Sequence, residues 1–248
     1  MTVDWARHAA KLGERLERIM RGPMQSWERN VLGIADWTDP KWKLRGLLKH
    51  VLSPGAPEGA IVELGVYKGK CLLALAQAFP DRKIWGYDSW SGLPEFSPED
   101  EMWELLDLSD EHRRAIDRMH YLSPGRAKAR KFDDASLEDI QRRAELADIP
   151  ADQITYVTGW PPDCSGPVSI AAASLDCDLY QSYQDALPWV WERLVPGGYI
   201  HLDEYYSLKY PGPRIAVDEF VAEHGLGHCL HMHPRISGEF ERWYLVKK

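Results

Sequence analysis

Ala60-Ile61-Val62-Glu63-Leu64-Gly65-Val66-Tyr67-Lys68-Gly69 is the stretch that decides the fold. Its first half is a short apolar run broken only by Glu63 and ended by a glycine, the pattern of a strand buried on both faces of a parallel sheet. Gly65 and Gly69 stand where that strand turns into a helical apolar run, Cys71 to Phe79. Glycine at such a turn lets the chain reverse sharply and lets a ligand approach with no Cβ in the way. A tight strand–helix turn also occurs in α/β proteins that bind nothing there, so the loop alone leaves function open.

Working outward, further strands follow with helices between them. Lys83 to Asp88 reads as a second strand, Ile154 to Gly159 as a third, Val168 to Leu175 as a fourth and Tyr199 to Asp203 as a fifth. A helix over Asp185 to Leu194, closed by Pro196-Gly197-Gly198, precedes the fifth, and Phe240 to Val246 alternates like an edge strand. Strands alternating with helices predict an α/β fold with a Rossmann-like, doubly wound, mostly parallel sheet. Residues 1–55 read as an N-terminal helical extension, with Leu12, Leu16, Ile19 and Met20 on one helix face and a second helix over roughly 40–52. Residues 56–248 then form the main domain. More chain separates its second and third strands than one crossover helix needs. Ser136-Leu137-Glu138-Asp139 has the form of a capping box, and the acid- and Trp-containing stretch 90–135 before it is expected to be a lid insertion.

The 248 residues carry a formal net charge of −8, which argues against non-specific binding to nucleic acid or to an anionic membrane. The local basic run Arg126, Lys128, Arg130 and Lys131 is read as a solvated loop. Cys71, Cys164, Cys177 and Cys229 are scattered and form no C-x-x-C pair, which points to reduced thiols. No apolar run approaches the length of a membrane span and the N-terminus has no apolar signal core, so a cytoplasmic location is expected. The N-terminal helices could mediate dimer or higher homo-oligomer contacts.

Three constellations carry chemistry. The first is the loop itself. It lacks the middle glycine of G-x-G-x-x-G and places Glu63 just before the turn, which suits the ammonium and sulfonium of S-adenosylmethionine better than a pyrophosphate. The second is Asp88, at the end of the second strand, where an acid can accept hydrogen bonds from both ribose hydroxyls of a nucleoside cofactor, nicotinamide dinucleotides included. The third is Asp176-Cys177-Asp178 with Asp203-Glu204, at the ends of the fourth and fifth strands. Carboxylates gathered in one cleft repel each other unless a cation sits among them, and hard oxygen ligands suit Mg²⁺. His201, two residues before Asp203, is either a base or a packed strand residue. His228, His231 and His233 lack a partner acid or cysteine at ligand spacing and read as a solvated or strand-face group.

Taken together, Val62 to Gly69, Asp88-Ser89-Trp90-Ser91-Gly92-Leu93-Pro94, Gly159-Trp160, Leu175 to Tyr180, and Pro196 to Tyr199 running into Asp203-Glu204-Tyr205 resemble the macrocin O-methyltransferase family. The resemblance implies a class I methyltransferase fold with seven strands, S-adenosylmethionine as cofactor, Mg²⁺ held by Asp176, Asp203 and Glu204, and Asp178 as general base. The family commonly has Asp-Asp-Tyr where this chain has Asp203-Glu204-Tyr205, so the longer arm of Glu204 could displace the ion.

The expectation is therefore O-methylation of a hydroxyl on a small natural product or sugar. Asp178 and His201 are the candidate catalytic residues. Glu63, Gly65, Tyr67, Gly69, Asp88, Ser89 and Asp176 would bind the cofactor, and Asp176, Asp203 and Glu204 the metal. The alternatives are a metal-independent N- or C-methyltransferase and an NAD-dependent oxidoreductase.

Overall fold

The computed structural model describes residues 56–122, 132–233 and 241–248. The expected extension over 1–55 and the basic run at 126–131 lie outside these residues.

Seven strands form one sheet in the order β3-β2-β1-β4-β5-β7-β6. They are β1 (Ala60–Leu64), β2 (Ile84–Asp88), β3 (Ile154–Thr158), β4 (Ile170–Leu175), β5 (Leu194–Leu202), β6 (Leu230–Met232) and β7 (Trp243–Val246). The first five are parallel, and β7 runs antiparallel to both β5 and β6. The C-terminal strand was expected at the edge. It is instead inserted between β5 and a short outer strand that contains His231, because two antiparallel partners satisfy both sides of its backbone.

β1 and β4 are buried at every position, as centrally placed parallel strands must be. Ile61, Leu72, Leu75, Ile84, Ile140 and Ala172 pack on one face with helices α1 (Lys70–Ala78) and α3 (Leu137–Leu146). Val62, Leu64, Tyr183, Val190, Ile200 and Val217 pack on the other with α4 (Tyr180–Arg193) and α5 (Gly212–Glu223). Each such aliphatic side chain contributes about 1.5–3 kcal/mol by leaving water. Helix α3 opens as expected, with the Ser136 hydroxyl accepting the Asp139 amide at 3.3 Å. Helix α4 starts at Tyr180, five residues before the expected Asp185, and α5 starts at Gly212.

Among its described residues the insertion contains two short 3₁₀ turns, Pro98–Glu101 and Trp103–Leu105, and helix α2 (Asp110–Leu122). Leu106, Leu108 and Ile116 pack on Ile215 of α5, with Trp103, Tyr180 and Leu208 beside them. The insertion thus lies over the half of the sheet that carries β4 and β5.

In the order 3-2-1-4-5 the chain reverses direction between β1 and β4, and a doubly wound sheet opens its cleft at the carboxyl ends of the strands at that point. The loops after β1, β2, β4 and β5 all meet there.

Candidate active site

The loop after β1 turns as the glycines require, with φ of +90° at Gly65 and +73° at Gly69. The space that glycine opens is used differently from the expectation. A Cβ on Gly65 would fall 1.8 Å from the carbonyl oxygen of Asp176, and one on Gly69 would meet Ile140 of α3 at 2.7 Å. The missing side chains let the protein's own loops pack together, rather than leaving a gap for a ligand. The Asp176 amide completes the contact by donating to Leu64 O at 2.9 Å. The first acid of the β4 loop is therefore fixed against the β1 turn.

Asp88 joins this arrangement from β2. Its Oδ2 accepts the Tyr67 amide at 2.7 Å and its Oδ1 the Trp90 amide at 2.8 Å. Each carboxylate oxygen retains a further acceptor position, since such an oxygen takes more than one donor. Tyr67 holds a left-handed φ of 48°, and its hydroxyl donates to Asp134 at 2.6 Å. Lys68 reaches the other oxygen of Asp134 at 2.5 Å, and that contact raises the lysine pKa and lowers the aspartate's. The loop is thus tied to Asp134, at the C-terminal end of the insertion. Ser89 is exposed, with its hydroxyl donating to Gly92 O at 2.8 Å within a local turn. Glu63 is buried in β1 at 1% exposure.

On the opposite side of the switch point, carboxylate oxygens of Asp176, Asp203 and Glu204 lie within 4.8 Å of one another. The longer arm of Glu204 does not remove it from the group. Burial pushes its carboxyl well above the usual carboxylate range, and the charges of Asp176, Asp203 and Asp178 push it further, as does a hydrogen bond with Asp176. The Tyr183 hydroxyl stands 2.7 Å from Glu204 Oε2 and 2.9 Å from Leu175 O. Asp178 sits at φ 62°, at the apex of a tight turn in which the Leu179 amide donates to Cys177 O at 2.7 Å. A non-glycine residue held in that region is strained, and such strain gathers at functional sites. Burial and the surrounding carboxylates push the Cys177 thiol well up, so it stays protonated.

His201 is fully buried in β5, with Nε2 3.2 Å from Asp203 Oδ1. Arg242 adds Nη1 at 3.6 Å from the same oxygen. Sequence reasoning passed over Tyr183 and Arg242. Burial pushes the Tyr210 hydroxyl up to about 12, with the charges of Asp178 and Asp100 adding to it. The edge of its ring meets Phe96 of the insertion at a centroid distance of 5.3 Å. No spacing rule connects Tyr183 or Arg242 to the acids. The His-x-His group resolves into strand-face contacts, with Tyr199 Oη 2.9 Å from His233 Nε2. All four cysteines are free thiols. Among the described residues no helix is long and apolar enough to cross a membrane.

Comparison with known proteins places this geometry. The family profile described as macrocin-O-methyltransferase (TylF) matches residues 42–233. The chain is 27% identical over 191 residues to mycinamicin III 3''-O-methyltransferase of Micromonospora griseorubida, covering 74% of this chain and 68% of that protein. It is 30% identical over 191 residues to 8-demethyl-8-(2,3-dimethoxy-alpha-L-rhamnosyl)-tetracenomycin-C 4'-O-methyltransferase of Streptomyces olivaceus, covering 74% and 65%. Demethyldecarbamoylnovobiocin O-methyltransferase of Streptomyces niveus is 26% identical over 188 residues, covering 73% and 64%, so the match spans about two thirds of these relatives. Among solved structures, the O-methyltransferase NovP superposes with a TM-score of 0.61 at 21% identity, over 98% of this chain and 99% of that one. A calicheamicin methyltransferase gives 0.59 at 21%, over 99% and 93%. At that identity the structures speak for the fold alone. The profile match over most of the chain shows that it belongs to the macrocin O-methyltransferase family, and so to the S-adenosylmethionine-dependent methyltransferases of the Rossmann-like class.

Proposed function

We propose that this protein methylates a hydroxyl group of a small natural product or sugar, with Mg²⁺ required for full activity. The observation that carries the reading is the trio Asp176, Asp203 and Glu204, with ligand oxygens within 4.8 Å, fixed through Asp176 to the Gly65 turn. The curated relatives are all named as O-methyltransferases, which supports oxygen as the acceptor atom. Family membership displaces the oxidoreductase reading.

In this reading the β1 and β2 side holds S-adenosylmethionine. Asp88 accepts from the ribose hydroxyls, Glu63 faces the cationic end, and the backbone of Gly65, Tyr67, Gly69 and Ser89 shapes the wall. Asp178 takes the proton from the acceptor hydroxyl. The oxygen then attacks the methyl carbon as the carbon–sulfur bond breaks, and S-adenosylhomocysteine leaves with the electron pair on sulfur. His201 and Arg242 orient Asp203 from within the fold, and His201, being fully buried, acts through that residue. The trio fits a hard divalent cation, because a cation offsets the mutual repulsion of carboxylates gathered around the buried Glu204. When bound, the ion would lower the pKa of the acceptor hydroxyl. Positioning and charge stabilisation supply most of the acceleration.

A metal-independent reaction is the second reading, because Arg242 already lies 3.6 Å from Asp203 and supplies positive charge of its own. One assay separates the two. Purified protein, S-adenosylmethionine and a panel of hydroxylated glycosides are expected to yield S-adenosylhomocysteine, with turnover suppressed by chelator and restored by excess Mg²⁺. Undiminished turnover in chelator removes the metal from the reaction. Methylation confined to amine or carbon acceptors overturns the O-methyltransferase reading.

A further inference from the structure

The acids of the site lie on two loops, and the insertion grips each loop at its far end. Asp100, in the 3₁₀ turn Pro98–Glu101, is 2% exposed. Its Oδ1 accepts the amide of Tyr180 at 2.8 Å, and its Oδ2 accepts the amide and the hydroxyl of Ser97, both at 3.0 Å. Tyr180 is the first residue of α4, two beyond Asp178. The N-cap of α4 is Leu179, which has no side-chain acceptor to offer. The cap that a local Ser, Thr, Asp or Asn normally provides comes here from 80 residues away, and as a carboxylate it also suits the positive end of the helix dipole. Gly212, the first residue of α5, makes the room, since a Cβ there would fall 2.1 Å from Asp100 Oδ1.

His112 of α2 does the same for the second loop. It is 1% exposed, its Nε2 lies 2.8 Å from Ser207 O, and its ring stacks on Tyr206 at 3.7 Å with the planes 12° apart. Tyr206 and Ser207 end the turn that begins with Asp203 and Glu204. The Gly65–Gly69 turn is tied instead to Asp134, at the other end of the insertion.

We propose that Asp100 and His112 are positioning residues, through which the docked insertion holds the Asp178 loop and the Asp203–Glu204 turn in reacting geometry while leaving the cofactor half preformed. The proposal rests on the reading of those two loops as the reacting half of the site. It makes the insertion a structural member of that half: undocked, the loop after β4 loses its helix cap and the turn after β5 loses its stacking partner.

Amide hydrogen exchange on the full-length protein, with and without S-adenosylhomocysteine, tests this. Asp100→Ala is expected to accelerate exchange of the amides at 180–183 by about tenfold, the scale of a lost helix cap. His112→Ala is expected to do so over 204–210. In both variants β1 and β2 keep their protection, and the calorimetric affinity for S-adenosylhomocysteine stays within about twofold of wild type. Asp100→Asn is a rescue. Its single carbonyl oxygen can still accept from Tyr180, so 180–183 stay protected while the Ser97 turn loosens. Gly212→Ala, which places a methyl group where Oδ1 sits, is expected to reproduce Asp100→Ala from the other side. Unchanged exchange at 180–183 in both Asp100→Ala and Gly212→Ala overturns the proposal. So does acceleration spread evenly over the sheet, which would mark general destabilisation, and so does cofactor affinity lost in step with exchange. A wild-type protein that transfers no methyl group would sink the proposed function and leave this exchange pattern standing, so the two failures are distinguishable.

Discussion

At the residue scale, two positions bear the most specific demands. Gly65 has its would-be Cβ 1.8 Å from a backbone oxygen and a φ of +90°, so neither a rotamer change nor a flexible neighbour can relieve a side chain there. Gly65→Ala is expected to destabilise the fold by about 2–4 kcal/mol, the sum of left-handed strain and overpacking, read as a lower midpoint in urea unfolding. A midpoint equal to wild type would mean that the β1 and β4 loops part easily. Asp178 is the reverse case, a strained residue whose replacement is expected to leave the fold intact. Asp178→Asn is expected to lower kcat by about 10²–10⁴, the usual range for removal of a general base, with affinity for S-adenosylhomocysteine unchanged. A kcat within a few-fold of wild type would assign the proton to another group. Both positions were legible in the sequence, Gly65 from the strand–turn–helix pattern and Asp178 from its place beside Asp176. The reason for the glycine was not, because the oxygen it accommodates lies more than a hundred residues away along the chain.

At the element scale, the insertion and the turn after β5 behave as one unit joined by His112. Burial holds the His112 imidazole below its ordinary value of 6.5, while its hydrogen bond to Ser207 opposes that shift. The folded state therefore favours the neutral ring. Below the unfolded value the unfolded chain binds a proton that the native chain does not, so this contribution is fully present above about pH 6.5 and is lost as the pH falls through the depressed folded value. Acidification through that window is expected to release α2 before the sheet unfolds, and proteolytic cleavage within 107–118 reads it out. His112→Phe, which keeps a flat ring but cannot titrate, should flatten the pH dependence. Equal acid sensitivity in that variant would place the transition on another group. The extra chain between β2 and β3 was legible from its length. Its docking was not, because Asp100 and His112 look like surface residues of an acidic, polar stretch until α5 is packed against them.

At the scale of the whole molecule, the sheet brings the ends of four strands to one switch point and divides the site into a cofactor half and an acid half. Because burial and its neighbours' charges push the Glu204 carboxyl well above the usual carboxylate range, a divalent ion that engages it competes with a proton. Titration with Mn²⁺ in buffers of different ionisation enthalpy is expected to show proton release on binding, and an affinity that rises with pH. Proton-neutral binding, or binding that weakens as pH rises, would place the ion away from Glu204. Among the sequence expectations tested at this scale, the seven-stranded, mostly parallel sheet is borne out, and the edge position of the last strand is corrected.

The sequence by itself determined the alternation of strands and helices, the turn after β1, the acids at the strand ends and the family. Each of these is written in local periodicity and short-range spacing, which a linear reading can see. Tertiary structure alone decided that the glycine serves Asp176, that Tyr183 and Arg242 brace the acids, and that a carboxylate on the insertion caps α4. Those contacts join residues tens to a hundred positions apart, and they exist only once the parallel sheet has set neighbouring strands about 4.8 Å apart and carried their loops to the same edge.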